Sequence, residues 1–324
     1  MSLLGHENAW RQWREALRGQ RMHHAWLLAG KRGLGKMTFA LAAARELCGA
    51  DAGDPAPHPD IHVLTRQPKD DKEERKRDEG KPFETRRNIA VAQIRAMQQR
   101  LTTRPTMGAR RAVIIDPADD LEPSASNALL KSLEEPPAGT YFLLVAHRPA
   151  KLLPTIRSRC RLLRFAPLDD PALDRWLASE APEADVATRE AALRASGGSP
   201  GLALDFLQRD LGPLDTLMAR IVREGDPGFT LRGQLAEAVG ARPDRERIAA
   251  ILDLARSVLA TEMTQAGEID RGRRVGWAAL VDAHSRLVQL AGQAPTYNFD
   301  PGLLVMEIGT LLASAAPASE RADV

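Results

Sequence analysis

Residues 30–40 read GKRGLGKMTFA, and this stretch constrains the fold more than any other. It satisfies G-x-x-x-x-G-K, with the apolar run AWLLA (25–29) directly before it and an Ala-rich helical pattern, Lys36 to Leu47, directly after. Strand, tight loop and helix in that order are the context a phosphate-binding loop requires. Gly30, Gly33 and Gly35 let backbone N–H groups wrap phosphates, the helix N-terminus adds partial positive charge, and Lys36 reaches the terminal phosphates. The helix is predicted to close at Gly49.

Four more apolar runs follow: DIHVL (60–64), AVIID (112–116), YFLLVA (141–146) and RLLRFAP (161–167). Each has the length of a buried strand, and helical patterns separate most of them, including one from Ser124 to Glu135 that ends at Pro136-Pro137. Strands alternating with helices predict a parallel sheet covered on both faces, in an α/β P-loop domain over residues 1–167. Between Arg66 and Arg87 nine Lys/Arg face seven Asp/Glu with little apolar, which reads as a solvated loop. Beyond Pro167 strand signals stop. Short helices form a small domain over 168–209. An all-α region over 210–324 follows, with Ile248, Ile251, Leu252, Ala255, Val258 and Leu259 on one helical face. Trp277, Leu280, Val281, His284, Leu287 and Val288 share another, and the last residues, from about 313 to 324, read as a disordered tail.

The net charge of +2 excludes a strongly basic nucleic-acid binder, so DNA contact would need a local patch such as Arg110-Arg111 or the 66–87 segment. Two cysteines, Cys48 and Cys160, exclude a disulfide framework and a four-cysteine zinc site, and suit a reducing cytoplasm. The first ten residues carry no basic-then-apolar signal, and no apolar run is long enough to span a bilayer, so no membrane is involved.

The loop's chemistry departs from its form. The position after the lysine normally gives Mg²⁺ a hydroxyl; Met37 gives a soft thioether, which does not substitute. Thr38 is turned about 100° further round the helix. AVIID ends in Asp116, a position suited to a metal-holding carboxylate. The next position, where an active enzyme of this type carries a glutamate to activate water, holds Pro117. Asp119 and Asp120 read as polar loop residues. Phosphate binding, with residual ATP or ADP, is compatible with this loop; metal-assisted hydrolysis is not expected, and no metal or cofactor is required.

SNALLKSLEEPPAGTYFLLVAHRPAKLLPTIRSRC (126–160) resembles the AAA+ subunits of the bacterial DNA polymerase III clamp loader. NALLKSLEEPP and LLPTIRSRC carry the likeness, HPDIHVL and IAVAQIRAMQQRL (89–101) add to it, and it spans about Leu3 to Leu207. The resemblance implies an AAA+ P-loop domain, a small helical lid and a helical collar that mediates oligomerisation. It implies the neighbours too: tau or gamma motor subunits, a clamp-opening delta subunit, and the sliding clamp and primed DNA reached through the assembly. Relatives hold zinc on four cysteines after the loop helix. Here Cys48 stands at the first position with no second to follow, so the zinc module is absent; His58 and His62 read as ordinary loop and strand residues. The nucleotide-sensing positions hold Ala146 and His147, and GGSPGLAL (197–204) lacks the arginine that touches nucleotide in motor subunits. These losses favour a silent subunit with no intrinsic ATPase over a tau- or gamma-like motor, which is the alternative. A small-molecule P-loop kinase needs more phosphate-clamping arginines than Arg32 supplies.

In this family the arginine of the Ser-Arg-Cys motif reaches into the neighbouring subunit's ATP site. Across Ser158, Arg159 and Cys160 the resemblance gives Arg159 that role in trans. Residue chemistry alone reads Arg159 as a strand-entry residue in an ion pair, and Ser158 and Cys160 as turn and packing residues.

Overall fold

The computed structural model describes residues 5–19, 22–50, 57–269, 274–294 and 299–317. These separate into two compact units, residues 1–167 and 168–324.

In the first unit the order is α1 (Glu7–Arg18), β1 (Ala25–Ala29), α2 (Lys36–Cys48), β2 (Ile61–Leu64), α3 (Asp71–Asp78), α4 (Val91–Arg100), β3 (Arg111–Ile115), α5 (Pro123–Glu134), β4 (Thr140–Ala146), α6 (Pro154–Arg157) and β5 (Arg161–Arg164). The five strands form one sheet, β2-β3-β4-β1-β5, and every neighbouring pair is parallel. The central strands are apolar throughout because both faces are covered. Along β1, Ala25, Leu27 and Ala29 join the core on one face with Ile94, Met97, Leu129 and Leu133 of α4 and α5. Trp26 and Leu28 point the other way, into a core with Trp13 of α1 and Phe39, Ala43 and Leu47 of α2. Trp13, Trp26, Phe39 and Phe142 are completely buried, each stabilising by about 1.5–3 kcal/mol. The strand from RLLRFAP stops at Arg164, and Phe165 N–H donates to the Ala29 carbonyl at 2.8 Å.

The charged 66–87 segment contains a helix, α3, where the sequence reading expected a loop. Asp70 caps it by accepting from the N–H groups of Lys72 and Glu73, with acids in the first turn and Arg75, Lys76 and Arg77 in the last. That order suits the helix dipole. Buried Glu73 then pins the returning segment, accepting from Glu84 N–H at 2.7 Å and from Lys76 Nζ at 2.7 Å. Apolar periodicity could not reveal this element because capping and charge pairing hold it.

The second unit holds α7 (Asp170–Glu180), α8 (Val186–Ser196), α9 (Pro200–Gln208), α10 (Gly212–Glu224), α11 (Thr230–Val239), α12 (Arg245–Ile269), α13 (Arg274–Gln293) and α14 (Pro301–Ser314). Among its described residues there are helices and no strands. One hydrophobic cluster runs from Leu173 and Leu177 through Met218 and Leu235 to Ile251, Leu287 and Leu312. Residues 168–209 and 210–324 therefore share a continuous core. In α13 the buried stripe is Leu280, Ala283 and Leu287, whereas Trp277, Val281 and Val288 are 45%, 41% and 46% exposed; the expected apolar face is split between core and surface. Ala313 and Ser314, read as the start of a tail, close α14, and the rest of that tail from residue 318 lies outside the described residues. Among the described residues no helix is long and apolar enough to cross a membrane.

Candidate functional site

Beyond Ala29 the chain turns sharply, and Gly30 N–H donates to the Ala146 carbonyl at 3.3 Å. A Cβ at Gly30 would lie 2.5 Å from the Phe165 carbonyl oxygen, so only glycine fits. Gly33 and Gly35 take φ of 79° and 74°, left-handed values that glycine adopts without strain. Lys36 opens α2 and is 2% exposed. Its Nζ donates to the Gly30 carbonyl at 2.7 Å and to the Lys31 carbonyl. Burial pushes the ammonium down to about 8, while Asp116 and then Asp119 pull it back up. The lysine lies inside its own loop, bonded to the loop's own carbonyls.

The residues around it do not make a magnesium site. Met37 packs against the core that contains Trp13 and Phe39, and Thr38 is exposed. Asp116, at the end of β3, has its carboxyl raised by burial, with Lys36 opposing; its Oδ1 is buried with no hydrogen-bond partner. Asp119 is a tie: its carboxylate accepts the backbone N–H of His147 at 2.8 Å and of Arg148 at 3.2 Å. Asp120 pairs with Arg66 at 3.7 Å and Arg148 at 3.9 Å. Sequence reading took both aspartates for loop polarity; a tie between the ends of β3 and β4 is invisible before those ends are adjacent. His147 is pushed down to about 4, chiefly by burial and then by Lys36, and its Nδ1 has no partner. The loop and the adjoining strand ends thus bring together Lys36, Asp116, Asp119 and a neutral His147. Among the described residues no group of three or more His, Cys, Asp and Glu could hold a metal ion, and at Met37 the loop offers Mg²⁺ a thioether in place of a hydroxyl.

Arg159 lies elsewhere. The strands are parallel, with Trp26 opposite Arg161 and Ala29 opposite Arg164. The glycine loop follows the C-terminal end of β1, and Arg159 precedes the N-terminal end of β5. The two sit at opposite ends of adjacent parallel strands, separated by the length of a strand, about 13 Å. Pro154 starts α6, whose single turn carries the chain into the motif. Arg159 Nη1 donates to the Thr155 carbonyl at 3.0 Å, and Nη2 lies 2.6 Å from Glu134 Oε1, with 35% of the arginine side chain exposed. Glu134, from LEEPP, is the last residue of α5, which stops before Pro136-Pro137. Ser158 Oγ donates to the Thr155 carbonyl at 3.1 Å. Cys160 packs against the α4/α5 side of the core, and burial pushes its thiol up to about 12, so it is not a nucleophile at neutral pH. Cys48, raised to about 11 by burial, is equally inert.

A parallel sheet whose first strand feeds a G-x-x-x-x-G-K loop defines a P-loop α/β protein. The family model described as "DNA polymerase III, delta subunit" matches residues 5–169. The DNA polymerase III subunit delta' of Pseudomonas aeruginosa is 36% identical over 208 residues, 58% of each chain. That of Escherichia coli K12 is 34% identical over 204 residues, 59% of this chain and 56% of the other. The chain spans little more than half the length of these relatives. A solved Thermotoga maritima structure, a DNA polymerase III gamma subunit-related protein, aligns with a TM-score of 0.48 at 16% identity, covering 95% of this chain and 99% of that one. The chain belongs to the DNA polymerase III delta subunit family.

Proposed function

We propose that the chain is a silent AAA+ subunit of a DNA polymerase III clamp loader, one that lends Arg159 to the ATP site of an adjoining motor subunit. The observation that carries this reading is the placement of two cations at opposite ends of adjacent parallel strands. Lys36 is bonded to its own loop, and Arg159 is too far from that loop to serve it. A guanidinium outside its own chain's pocket is useful to a neighbour's phosphates, since it is always charged, planar and able to bridge spreading charge. On this reading the helical unit joins a collar, the neighbours are a tau- or gamma-type motor and a clamp-opening delta subunit, and clamp and primed DNA are met through the assembly. Nucleotide, if it enters the loop, is a structural ligand. The intact Gly30–Lys36 loop is the one feature that favours an active motor instead.

Arginine fingers in related NTPases contribute roughly 10³–10⁵ in rate. Arg159→Ala is expected to fold normally and to lower DNA-stimulated ATP hydrolysis by the reconstituted complex at least tenfold. Unchanged turnover in that assay rejects the role in trans, and brisk magnesium-dependent hydrolysis by the isolated chain supports the motor.

A further inference from the structure

Arg159 is not simply exposed; it is held, and the holding group comes from the other segment that marks this family, LEEPP. Glu134 stands at the C-terminal end of α5, where the helix dipole disfavours a carboxylate. Its ion-pair partner is Arg159, at 2.6 Å. The Thr155 carbonyl takes a second corner of the guanidinium at 3.0 Å. Of the five N–H donors on an arginine fork, these contacts use two. The other three have no partner among the described residues, and the side chain is 35% exposed. Arg157, two residues earlier and exposed, makes no side-chain ion pair among the described residues. One of the two arginines in this short segment is therefore anchored and the other is not.

We propose that Glu134 is a positioning residue for Arg159: it restricts the guanidinium to one orientation and leaves its remaining donors free for an anion on an adjoining subunit. The ligand class is a nucleotide phosphate, and the inference rests on the trans role proposed above. A long, rotamer-rich side chain loses conformational freedom when it engages a ligand. A carboxylate that has already ordered it lowers that loss at the moment phosphate charge develops. The pair is half-exposed, so its attraction is modest, and the guanidinium keeps enough positive potential to engage a second anion.

The test uses the full chain reconstituted with its motor and clamp-opening subunits, with ATP and primed DNA. Glu134→Ala is expected to lower kcat roughly three- to tenfold while leaving KM for ATP within about twofold. Glu134→Gln, which keeps the acceptor oxygen, is expected to restore at least about half of the rate. Glu134→Ala combined with Arg159→Ala should be no slower than Arg159→Ala alone, because the carboxylate acts only through the guanidinium. If Arg159→Ala slows the complex and Glu134→Ala does not, the positioning role is wrong and the trans role stands. A faster Glu134→Ala complex means the carboxylate holds the arginine back, which also overturns the proposal, as does an additive double variant. If Arg159→Ala itself has no effect, both readings fall together. Matching melting curves for wild type, Glu134→Ala and Glu134→Gln exclude misfolding, and a Glu134→Ala chain that melts early leaves Glu134→Gln against Glu134→Ala/Arg159→Ala as the deciding comparison.

Discussion

Lys36 and Arg159 are both cations in motif segments of one α/β domain, yet the fold treats them in opposite ways. Lys36 is 2% exposed, its ammonium bonded to the Gly30 and Lys31 carbonyls. Arg159 is 35% exposed and keeps three donors without a protein partner among the described residues. A charge whose hydrogen bonds are closed within its own loop organises that loop. A charge with open donors at the surface can act on something else. Burial and hydrogen-bond satisfaction, rather than residue type, separate the structural cation from the one proposed to act in trans.

The contrast can be broken most directly through stability. Lys36 titrates at about 8 instead of 10.5. Between those values the unfolded chain holds a proton that the folded chain has released, so folding stability rises with pH across that window. The burial penalty is present in full below it. Relative to a Lys36→Met variant, the wild-type chain is expected to gain roughly 1–3 kcal/mol between pH 8 and 10.5, read from urea midpoints. A difference that stays flat with pH would mean the ammonium is not desolvated. Met37→Ser comes next. It removes a packed thioether at a cost of about 1 kcal/mol, and it puts a hydroxyl at the position after the loop lysine. The isolated chain is still expected to show no ATP turnover with magnesium, since Pro117 offers no carboxylate; measurable hydrolysis would show that Met37 alone silences the loop. Smallest of all is Arg159→Met on the isolated chain. Losing a half-exposed ion pair to Glu134 is expected to change stability by less than about 1 kcal/mol. A larger loss in the same urea titration would make Arg159 a structural residue like Lys36.

Several features were legible before any coordinates. The runs at 25–29, 60–64, 112–116 and 141–146 became strands within a residue of their expected ends; the three central ones are apolar because a doubly covered parallel strand must be. The loop, its lysine and the helix after it were equally plain, since few sequences place glycines at those spacings between strand and helix. The α3 helix was missed because it is written in charge order and an aspartate cap rather than in apolar spacing. On α13, Trp277 and Leu280 looked equivalent, and only packing assigned one to the surface and the other to the core.

The sequence by itself determined which side chains stand at the loop's metal and water positions. A thioether cannot stand in for a hydroxyl on Mg²⁺, and proline cannot activate water; neither fact depends on the fold. It also set the alternation of strands and helices, because local spacing fixes which faces are apolar. Tertiary structure alone decided what the retained groups touch. Asp119 ties His147 and Arg148, Glu134 meets Arg159, and loop and arginine fall at opposite ends of neighbouring strands. These are contacts between residues far apart in the chain, set by parallel strand register, which no local pattern encodes.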